Sequence, residues 1–150
     1  MLKDDPSVLF TSAGMQPLVP YFNGRKQAPG KRIVTIQKIF RSTDIDEVGR
    51  DGYHQTFFEM LGNFGIGDYW KKEAIAWGWD LLTKEFGFDP TKLVATIYFD
   101  DDEAFDIWTK ELALLPAEKV FRLGDLAKGD ETNFWSPGPT GLCGPCSEVF

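Results

Sequence analysis

Two segments rich in β-branched and aromatic residues, separated by a long polar loop, constrain the fold of this chain most strongly. Residues 32–41 are rich in Ile, Val and Thr, and residues 55–64 return to aromatic and apolar side chains. Between them, residues 44–52 are polar, acidic and contain glycine. This pattern is typical of a strand, a loop and a second strand. It predicts an antiparallel pair, because parallel strands need a longer crossover connection.

A helix is predicted after this strand pair, over residues 69–86. Its apolar positions fall at helical spacing, at Ile75, Trp79, Leu82 and Phe86. Asp68 is the expected N-cap, and Gly87 is the expected stop ahead of Pro90.

A second helix is predicted over residues 100–112. Asp100 and Glu103 have the spacing of a capping box. One face of this helix carries Phe105, Trp108 and Leu112. The acidic run at 100–103 suggests either a metal site or a helix start. The helix start is favoured, because carboxylates there offset the unsatisfied amides and the helix dipole.

The remaining pattern mixes short strands with turns. Strands are predicted at 8–11, 93–99 and 120–123, a short helix or turn at 17–22, and loops at 27–31 and 133–145. Internal repeats, low-complexity tracts and a clear linker between domains are absent from the sequence. The predicted fold class is therefore α+β, with an antiparallel sheet flanked by helices.

Composition narrows the class of protein. The chain has 150 residues, a net charge of −7 and 15% aromatic residues. This length and composition are those of an ordinary globular protein with one core. Collagen-like, coiled-coil and disordered classes are excluded. Since no apolar run approaches the ~20 residues that span a bilayer, the sequence predicts a soluble, cytoplasmic protein without a membrane partner.

The charge is distributed unevenly along the chain. Residues 24–43 contain six basic residues and no acidic one. One interpretation is a solvated loop and strand face. The other is a docking surface for a polyanion, such as a nucleoside triphosphate or an RNA end.

Several kinds of catalytic site are excluded by the motifs. The sequence has neither the GxxxxGK[ST] phosphate loop nor the GxGxxG dinucleotide turn. Its single histidine, His54, cannot supply a histidine-based zinc cluster. The CxxC at 143–146 suggests a redox pair, half of a zinc site or a structural turn. The turn is favoured, because the motif follows a Gly/Pro loop, whereas a redox pair opens a helix.

Arg41 is the strongest candidate for chemistry. It closes the basic strand, and the returning strand carries Phe57, Phe58 and Met60. An enzyme that activates a carboxylate with ATP needs a fixed positive charge at the α-phosphate, which an arginine supplies. An aromatic face and a thioether supply a slot for adenine. The competing interpretation is that these three side chains are plain core.

Three groups of motifs carry a resemblance to a known family. They are LFTSAGM at 9–15, TFFEMLGNF at 56–64 with GDY at 67–69, and NFW at 133–135 followed by GLCGPCSE at 141–148. In their order and close to their spacing, they resemble the catalytic domain of the alanyl-tRNA synthetases, a family of class II aminoacyl-tRNA synthetases. The resemblance covers nearly the whole chain.

The resemblance implies an ATP-dependent ligase of protein biosynthesis that forms alanyl-adenylate and transfers alanine to the 3′ end of tRNA(Ala). It implies ATP and Mg²⁺ as cofactors, with zinc only in a separate editing domain. By the resemblance, Arg41 is catalytic and holds the α-phosphate and the substrate carboxylate. Phe58 matches the aromatic residue that stacks on adenine, with Met60 beside it.

The resemblance also assigns a loop and a pocket. His54, Asp44 and Asp46 lie where the loop of motif 2 reaches the triphosphate of ATP and the acceptor end of tRNA. Met15 and Trp135 match positions that line the small alanine pocket.

The extent of the chain is a further expectation. We expect an internal fragment, a partial class II catalytic domain over residues 1–150 that contains the end of motif 1 and motif 2 and lacks motif 3. Such a fragment is expected to be inactive alone. The alternative function is a non-catalytic, nucleotide-binding remnant or paralogue.

Overall fold

The computed structural model describes residues 9–136 and 141–150. The chain divides into two compact units, one up to Asp68 and the other from Tyr69 onward. We call the first the hairpin unit and the second the core unit.

The elements of the hairpin unit are a 3₁₀ turn (Gln16–Leu18), helix α1 (Val19–Phe22) and strands β1 (Arg32–Phe40) and β2 (Phe57–Gly65). The helices of the core unit are α2 (Lys71–Asp80), continued by a π-helical turn (Leu81–Glu85), and α3 (Asp102–Asp106), continued by another (Ile107–Glu111). Its strands are β3 (Ala95–Tyr98), β4 (Val120–Leu123), β5 (Phe134–Trp135), β6 (Gly144–Pro145) and β7 (Ser147–Val149). Its 3₁₀ turns are Pro90–Lys92, Ala117–Lys119 and Leu126–Lys128.

The predicted antiparallel strand pair is confirmed. β1 and β2 pair in antiparallel register, with Ile39 opposite Phe58 and Gln37 opposite Met60. Because side chains alternate along a strand, Phe58 and Met60 share the more buried face. Phe57 lies on the exposed face, so it is not a core residue and does not share a face with Phe58 and Met60.

The start of the hairpin unit differs in part from the prediction. The short helix or turn at 17–22 is confirmed. Residues 9–11 form no strand, which corrects the strand predicted there, and residue 8 lies outside the described residues. A single strand-like hydrogen bond remains, in which the Phe40 amide donates to the Thr11 carbonyl over 3.0 Å.

The first predicted helix forms, but its start and end differ. Asp68 is not the N-cap, because its carboxylate accepts a hydrogen bond from the Arg32 guanidinium. Trp70 occupies the cap position, and its amide donates to the Glu73 carboxylate over 3.2 Å. Phe86 is 59% exposed and does not belong to the buried face. Gly87 ends the helical segment with a positive φ of 71°, as predicted.

The second predicted helix also forms, with a shifted cap. The Asp101 carboxylate, rather than that of Asp100, accepts the Ala104 amide over 3.0 Å. Asp101 also binds Lys71 Nζ at 2.7 Å. The acidic run is therefore a helix start, as favoured.

The strands of the core unit build a sheet in the order β4-β3-β7. β3 pairs with β7 in antiparallel orientation and with β4 in parallel orientation, and the parallel pair was not predicted. Helices α2 and α3 cover one side of this sheet and enclose a buried cluster. The cluster contains Ile75, Trp79, Ala95, Ile97, Ala104, Ile107, Trp108, Leu115 and Val120. The α+β class, with antiparallel pairs and flanking helices, is confirmed.

Part of the loop predicted at 133–145 forms strands, and residues 137–140 of that prediction lie outside the described residues. β5 and β6 pair in antiparallel register, with Phe134 opposite Pro145 and Trp135 opposite Gly144. Two-residue strands carry too short a hydrophobic pattern to be recognised, especially where one contains proline.

Candidate functional site

Arg41 follows directly on the last residue of β1. Its amide donates to the Thr56 carbonyl over 2.9 Å, which extends the strand pairing by one step. Its guanidinium Nε donates to the Ser12 carbonyl over 2.8 Å. The guanidinium carbon lies 5.6 Å from the centre of the Phe58 ring, within cation–π range. The structure thus brings together two of the predicted site residues, a fixed cation and an aromatic face.

Met60 connects this strand face with the segment that carries Met15. Met60 Sδ accepts a hydrogen bond from the Gly14 amide over 3.2 Å. A Cβ added at Gly14 would lie 3.4 Å from the same sulfur, an ordinary contact distance, so this approach does not require glycine. Met15 follows Gly14, is half-buried and caps the first 3₁₀ turn. The segment that carries Met15 is therefore attached to β2 through Met60.

The burial of Phe58 and Met60 bears on the competing core interpretation. Both side chains are half-buried, and they share their strand face with the buried Ile39. They are neither fully enclosed nor freely exposed. A half-buried surface can contact a planar aromatic ligand on its open side while its other side packs against the protein.

In the loop at 41–56, His54 is bound to the carboxylate of Asp51, a residue that the sequence analysis did not single out. His54 Nδ1 binds the Asp51 carboxylate, and its Nε2 lies 4.0 Å from Asp44. The Asp51 hydrogen bond raises the pKa of His54 against an opposing effect of desolvation. For Asp51, desolvation raises the pKa, but hydrogen bonds from His54 and Tyr53 outweigh it and lower the pKa to about 2. His54 is thus favoured in its charged form.

The two predicted acidic residues of the loop are exposed. Asp44 accepts a hydrogen bond from the Thr43 hydroxyl over 3.0 Å and faces His54. Asp46 is exposed to solvent. The structure therefore brings Asp44, but not Asp46, to the histidine. The signal for Asp51 is its position three residues before His54, which is the spacing of a local side-chain to backbone hydrogen bond.

The basic segment at 24–43 is exposed at all six of its charged positions, Arg25, Lys26, Lys31, Arg32, Lys38 and Arg41. Arg32 is paired with Asp68, and Lys38 stands opposite Glu59 in the strand register. Within residues 9–136 and 141–150, no carboxylate lies within ion-pair distance of Arg41. The cation that the sequence singled out thus faces no internal anion in this part of the chain.

Trp135 belongs to the core unit. It lies on β5 opposite Gly144 and is 40% exposed. Its indole Nε1 would lie 3.8 Å from a Cβ at Gly144, an ordinary contact distance. The tryptophan thus presents part of its ring to solvent from a short strand pair.

The CxxC motif is extended, so the predicted structural turn is wrong. Gly144 and Pro145 form β6, and the Cys146 amide donates to the Asn133 carbonyl over 2.8 Å. Desolvation and the neighbouring Glu148 carboxylate raise the pKa of Cys146 to about 12. A thiol with such a pKa stays protonated, which argues against a reactive redox pair.

A cavity of about 260 Å³ in the core unit lies between α2, the start of α3 and β7. Its wall contains Trp79, Trp108 and the paired Lys71 and Asp101. None of the predicted site residues lines it. In the part of the chain that the structure describes, no group of three or more His, Cys, Asp or Glu side chains could hold a metal ion. No helix of those residues is long and apolar enough to cross a membrane.

Comparison with known proteins shows the family to which the chain belongs. A family model described as class II (A) tRNA synthetases matches residues 1–150. The chain therefore belongs to the class II tRNA synthetases.

The relatives narrow this class. An alanine–tRNA ligase from Alkaliphilus oremlandii is 53% identical over 146 residues, covering 97% of this chain and 16% of that protein. The enzyme of that name from Carboxydothermus hydrogenoformans is 52% identical over 147 residues, covering 98% of the chain and 16% of the relative. A chloroplastic/mitochondrial alanine–tRNA ligase from Populus trichocarpa is 50% identical over 150 residues, covering 100% and 14%. The predicted resemblance is confirmed, and the chain spans about a sixth of the length of these relatives.

Proposed function

We propose that the chain forms part of the catalytic domain of an alanine–tRNA ligase and contains its motif 2 region. The reaction joins alanine and ATP into alanyl-adenylate and pyrophosphate, then transfers alanine to the 3′ end of tRNA(Ala). The observation that carries the proposal is the position of Arg41, whose guanidinium is held on the Ser12 carbonyl and over the Phe58 ring. It is supported by the family and by relatives that bear this name.

Arg41 is the proposed catalytic residue. Attack of the alanine carboxylate on the α-phosphate builds negative charge in the transition state, and a preorganised cation stabilises that charge. The hydrogen bond from Nε to Ser12 fixes the guanidinium before substrate arrives. Its terminal nitrogens can then donate to the phosphate and the carboxylate together, as a planar fork suits paired oxygens.

Phe58 and Met60 are proposed to form the adenine slot. Phe58 offers an aromatic face for stacking, and Met60 is held in place by the Gly14 amide. Met15 and Trp135 are proposed to line the alanine pocket. Bulky walls exclude larger side chains by volume, but they discriminate weakly against glycine and serine.

The loop residues His54, Asp44 and Asp46 are proposed to lie near the triphosphate and the acceptor end of tRNA. The raised pKa of His54 favours a positive charge on this loop, which suits a phosphate partner. Mg²⁺ is implied by the family, but the described residues contain no cluster of ligands for it. Cytoplasmic localisation stays a prediction.

Alanine-dependent ATP–pyrophosphate exchange by the full-length protein tests the role of Arg41. Arg41→Ala is expected to lower the exchange rate about 10²–10³-fold, the usual effect of losing one transition-state contact. Arg41→Lys keeps the charge but not the planar fork, so an intermediate rate is expected. Arg25→Ala is the matched control, because Arg25 is an exposed arginine of the same basic segment. An Arg41→Ala rate equal to that of Arg25→Ala would remove Arg41 from its role.

The second candidate is a non-catalytic nucleotide-binding protein. It is favoured by the same Arg41 and Phe58 pair, which would bind a nucleotide without catalysing transfer. Calorimetric titration with ATP, run beside the exchange assay, separates the two. ATP binding without alanine-dependent exchange in the full-length protein would support this candidate and contradict the ligase.

A further inference from the structure

Asn133 stands out in the core unit because its backbone and its side chain are both unusual. It is only 5% exposed, and its φ of 56° lies in the left-handed region. Among residues with a Cβ, asparagine tolerates this conformation best. A buried amide is costly unless it is hydrogen-bonded, so its partners indicate what it does.

The Asn133 side chain joins two strands of the core unit. Its Nδ2 donates to Thr96 Oγ1 over 2.9 Å and to the Cys146 carbonyl over 3.3 Å. Since a carbonyl only accepts, the amide nitrogen has to face Cys146. The backbone carbonyl of Asn133 in turn accepts the Cys146 amide over 2.8 Å, whereas the side-chain oxygen Oδ1 has no hydrogen-bond partner among the described residues. Asn133 therefore binds the centre of β3 and the residue between β6 and β7 at once.

These bonds matter for Trp135, which lies two residues further along the chain. Trp135 is on the two-residue strand β5, which among the described residues pairs with the equally short β6. A strand pair of this length has little stability of its own and needs an attachment. Its attachments include the Asn133 bonds, the packing of the Phe134 ring against Tyr98 with ring centres 5.4 Å apart, and the continuation of β6 through Cys146 into β7, which pairs with β3.

We propose that Asn133 is a positioning residue, which fixes Trp135 by fastening the β5–β6 pair to β3. The inference rests on the proposed function, in which Trp135 lines the alanine pocket. It predicts that Asn133 acts on alanine binding, although its own side chain is buried. Glycine would suit the backbone but lacks the amide. Aspartate would place a carboxylate against the Cys146 carbonyl.

The test uses the full-length protein and two matched sets of variants. Asn133→Asp keeps the shape and the tolerance for positive φ but removes the donor. Asn133→Gly keeps the backbone conformation and removes the side chain. Thr96→Val removes the acceptor with little change of volume, and Thr96→Ser restores it. For each variant, exchange kinetics give KM for alanine, KM for ATP and kcat, and fluorine NMR of fluorotryptophan-labelled protein reports on Trp135.

Loss of the buried hydrogen bonds is expected to raise KM for alanine about tenfold in Asn133→Asp and Asn133→Gly. KM for ATP and kcat should stay close to the parent, and the Trp135 resonance should shift. Thr96→Val should likewise raise KM for alanine and leave KM for ATP and kcat close to the parent. Thr96→Ser should restore the parent values. A general structural defect would instead lower kcat and raise both KM values, which would overturn the proposal. An unshifted Trp135 resonance in Asn133→Asp would overturn it as well.

Trp135→Ala separates this inference from the proposed function. If that variant leaves KM for alanine unchanged while Asn133→Asp still shifts the Trp135 resonance, Asn133 positions the tryptophan and the pocket role of Trp135 is wrong.

Discussion

The hairpin unit and the core unit are stabilised in different ways. In the core unit, two helices and a sheet enclose a cluster that includes both Trp79 and Trp108, whose rings meet edge to face at 5.7 Å. In the described part of the hairpin unit, the buried apolar side chains are only Leu18 and Ile39. The exposed face of its strand pair carries Val34, Ile36, Phe57 and Leu61.

The candidate residues for phosphate chemistry lie in the unit with the smaller core. Arg41, Met60 and His54 are each held by a specific hydrogen bond, to Ser12, Gly14 and Asp51 respectively. Hydrogen bonds position a polar group without enclosing it, whereas core packing removes it from solvent and ligand. The groups proposed to bind ATP are thus held by hydrogen bonds on a hairpin with a small core, whereas Trp135, proposed for the alanine pocket, lies in the core unit.

Each unit has its own spectroscopic probe. All five tryptophans lie from Trp70 onward, in the core unit, and the single histidine, His54, lies in the hairpin unit. Tryptophan fluorescence therefore reports on the core unit during urea unfolding, and the His54 ring protons report on the hairpin unit by NMR.

The largest expected effect is a loss of stability at Gly124, which is compared with a second glycine of similar conformation. Gly124 has a φ of 78°, and a Cβ there would lie 1.8 Å from the Thr132 carbonyl oxygen. Gly124→Ala is expected to destabilise the core unit by more than about 4 kcal/mol, because backbone overlap is added to left-handed strain. Tryptophan fluorescence during urea unfolding measures this loss.

Gly49→Ala is the matched control in the hairpin unit. Gly49 has a φ of 82°, but no atom lies within 4 Å of an added Cβ. Only the conformational strain of about 1–2 kcal/mol is expected there, measured through His54. Equal losses at the two positions would show that packing does not distinguish the units.

The next effect compares two isoleucines at strand positions. Ile97 on β3 is 0% exposed, and Ile36 on β1 is 67% exposed. Ile97→Ala is expected to cost about 2–5 kcal/mol through lost burial and a cavity. Ile36→Ala should cost less than about 1 kcal/mol, the span of strand propensity.

The two unfolding midpoints, from tryptophan fluorescence for Ile97→Ala and from His54 for Ile36→Ala, test this difference. A loss at Ile36 as large as that at Ile97 would show that the exposed face of the strand pair is packed in solution. The contrast between the units would then be wrong.

These residues also show how far the sequence predicts the structure. The strand pair, the helix around Ile75 and Trp79, and the role of Arg41 in closing a strand follow from local patterns, which repeat over many residues. The cap at Asp101 was missed because Asp100 offers an equally good local signal, and the cap at Trp70 was missed because tryptophan is not a preferred N-cap residue. Only the structure shows that Asp68 binds Arg32 and that Asp101 binds Lys71.

The candidate site likewise contains residues that the sequence indicated and residues that it did not. Arg41, Phe58 and Met60 were predictable from strand order and family motifs. Phe57 was not separated from Phe58 until the register placed the two side chains on opposite faces. Ser12 was not predicted because it acts through its backbone carbonyl. Asn133 was not predicted because it acts through a contact with Thr96, which is far away along the chain.

The smallest expected effect is the pH dependence of the hairpin unit, at the loop that carries His54. The pKa of His54 is raised above 6.5, so folding favours its charged form. The resulting stability is complete below pH 6.5 and is lost as the pH rises through the raised pKa. For Asp51, whose pKa is lowered from 3.8 to about 2, stability is present above pH 3.8 and is lost as the pH falls towards 2. The loop is therefore expected to be most stable between these two limits.

NMR titration of His54 measures this dependence in the variant Asp51→Asn. Removing the carboxylate removes the main cause of the shift, so the pKa of His54 should fall. Asp46→Asn is the matched control, because Asp46 lies in the same loop but is not among the groups that raise the pKa of His54. If Asp46→Asn lowered the pKa as much as Asp51→Asn, the general negative charge of the loop, rather than the hydrogen bond, would hold the histidine. The hairpin unit would then owe its pH response to a diffuse field, and its functional groups would be less precisely fixed than the contacts of Arg41 and Met60 indicate.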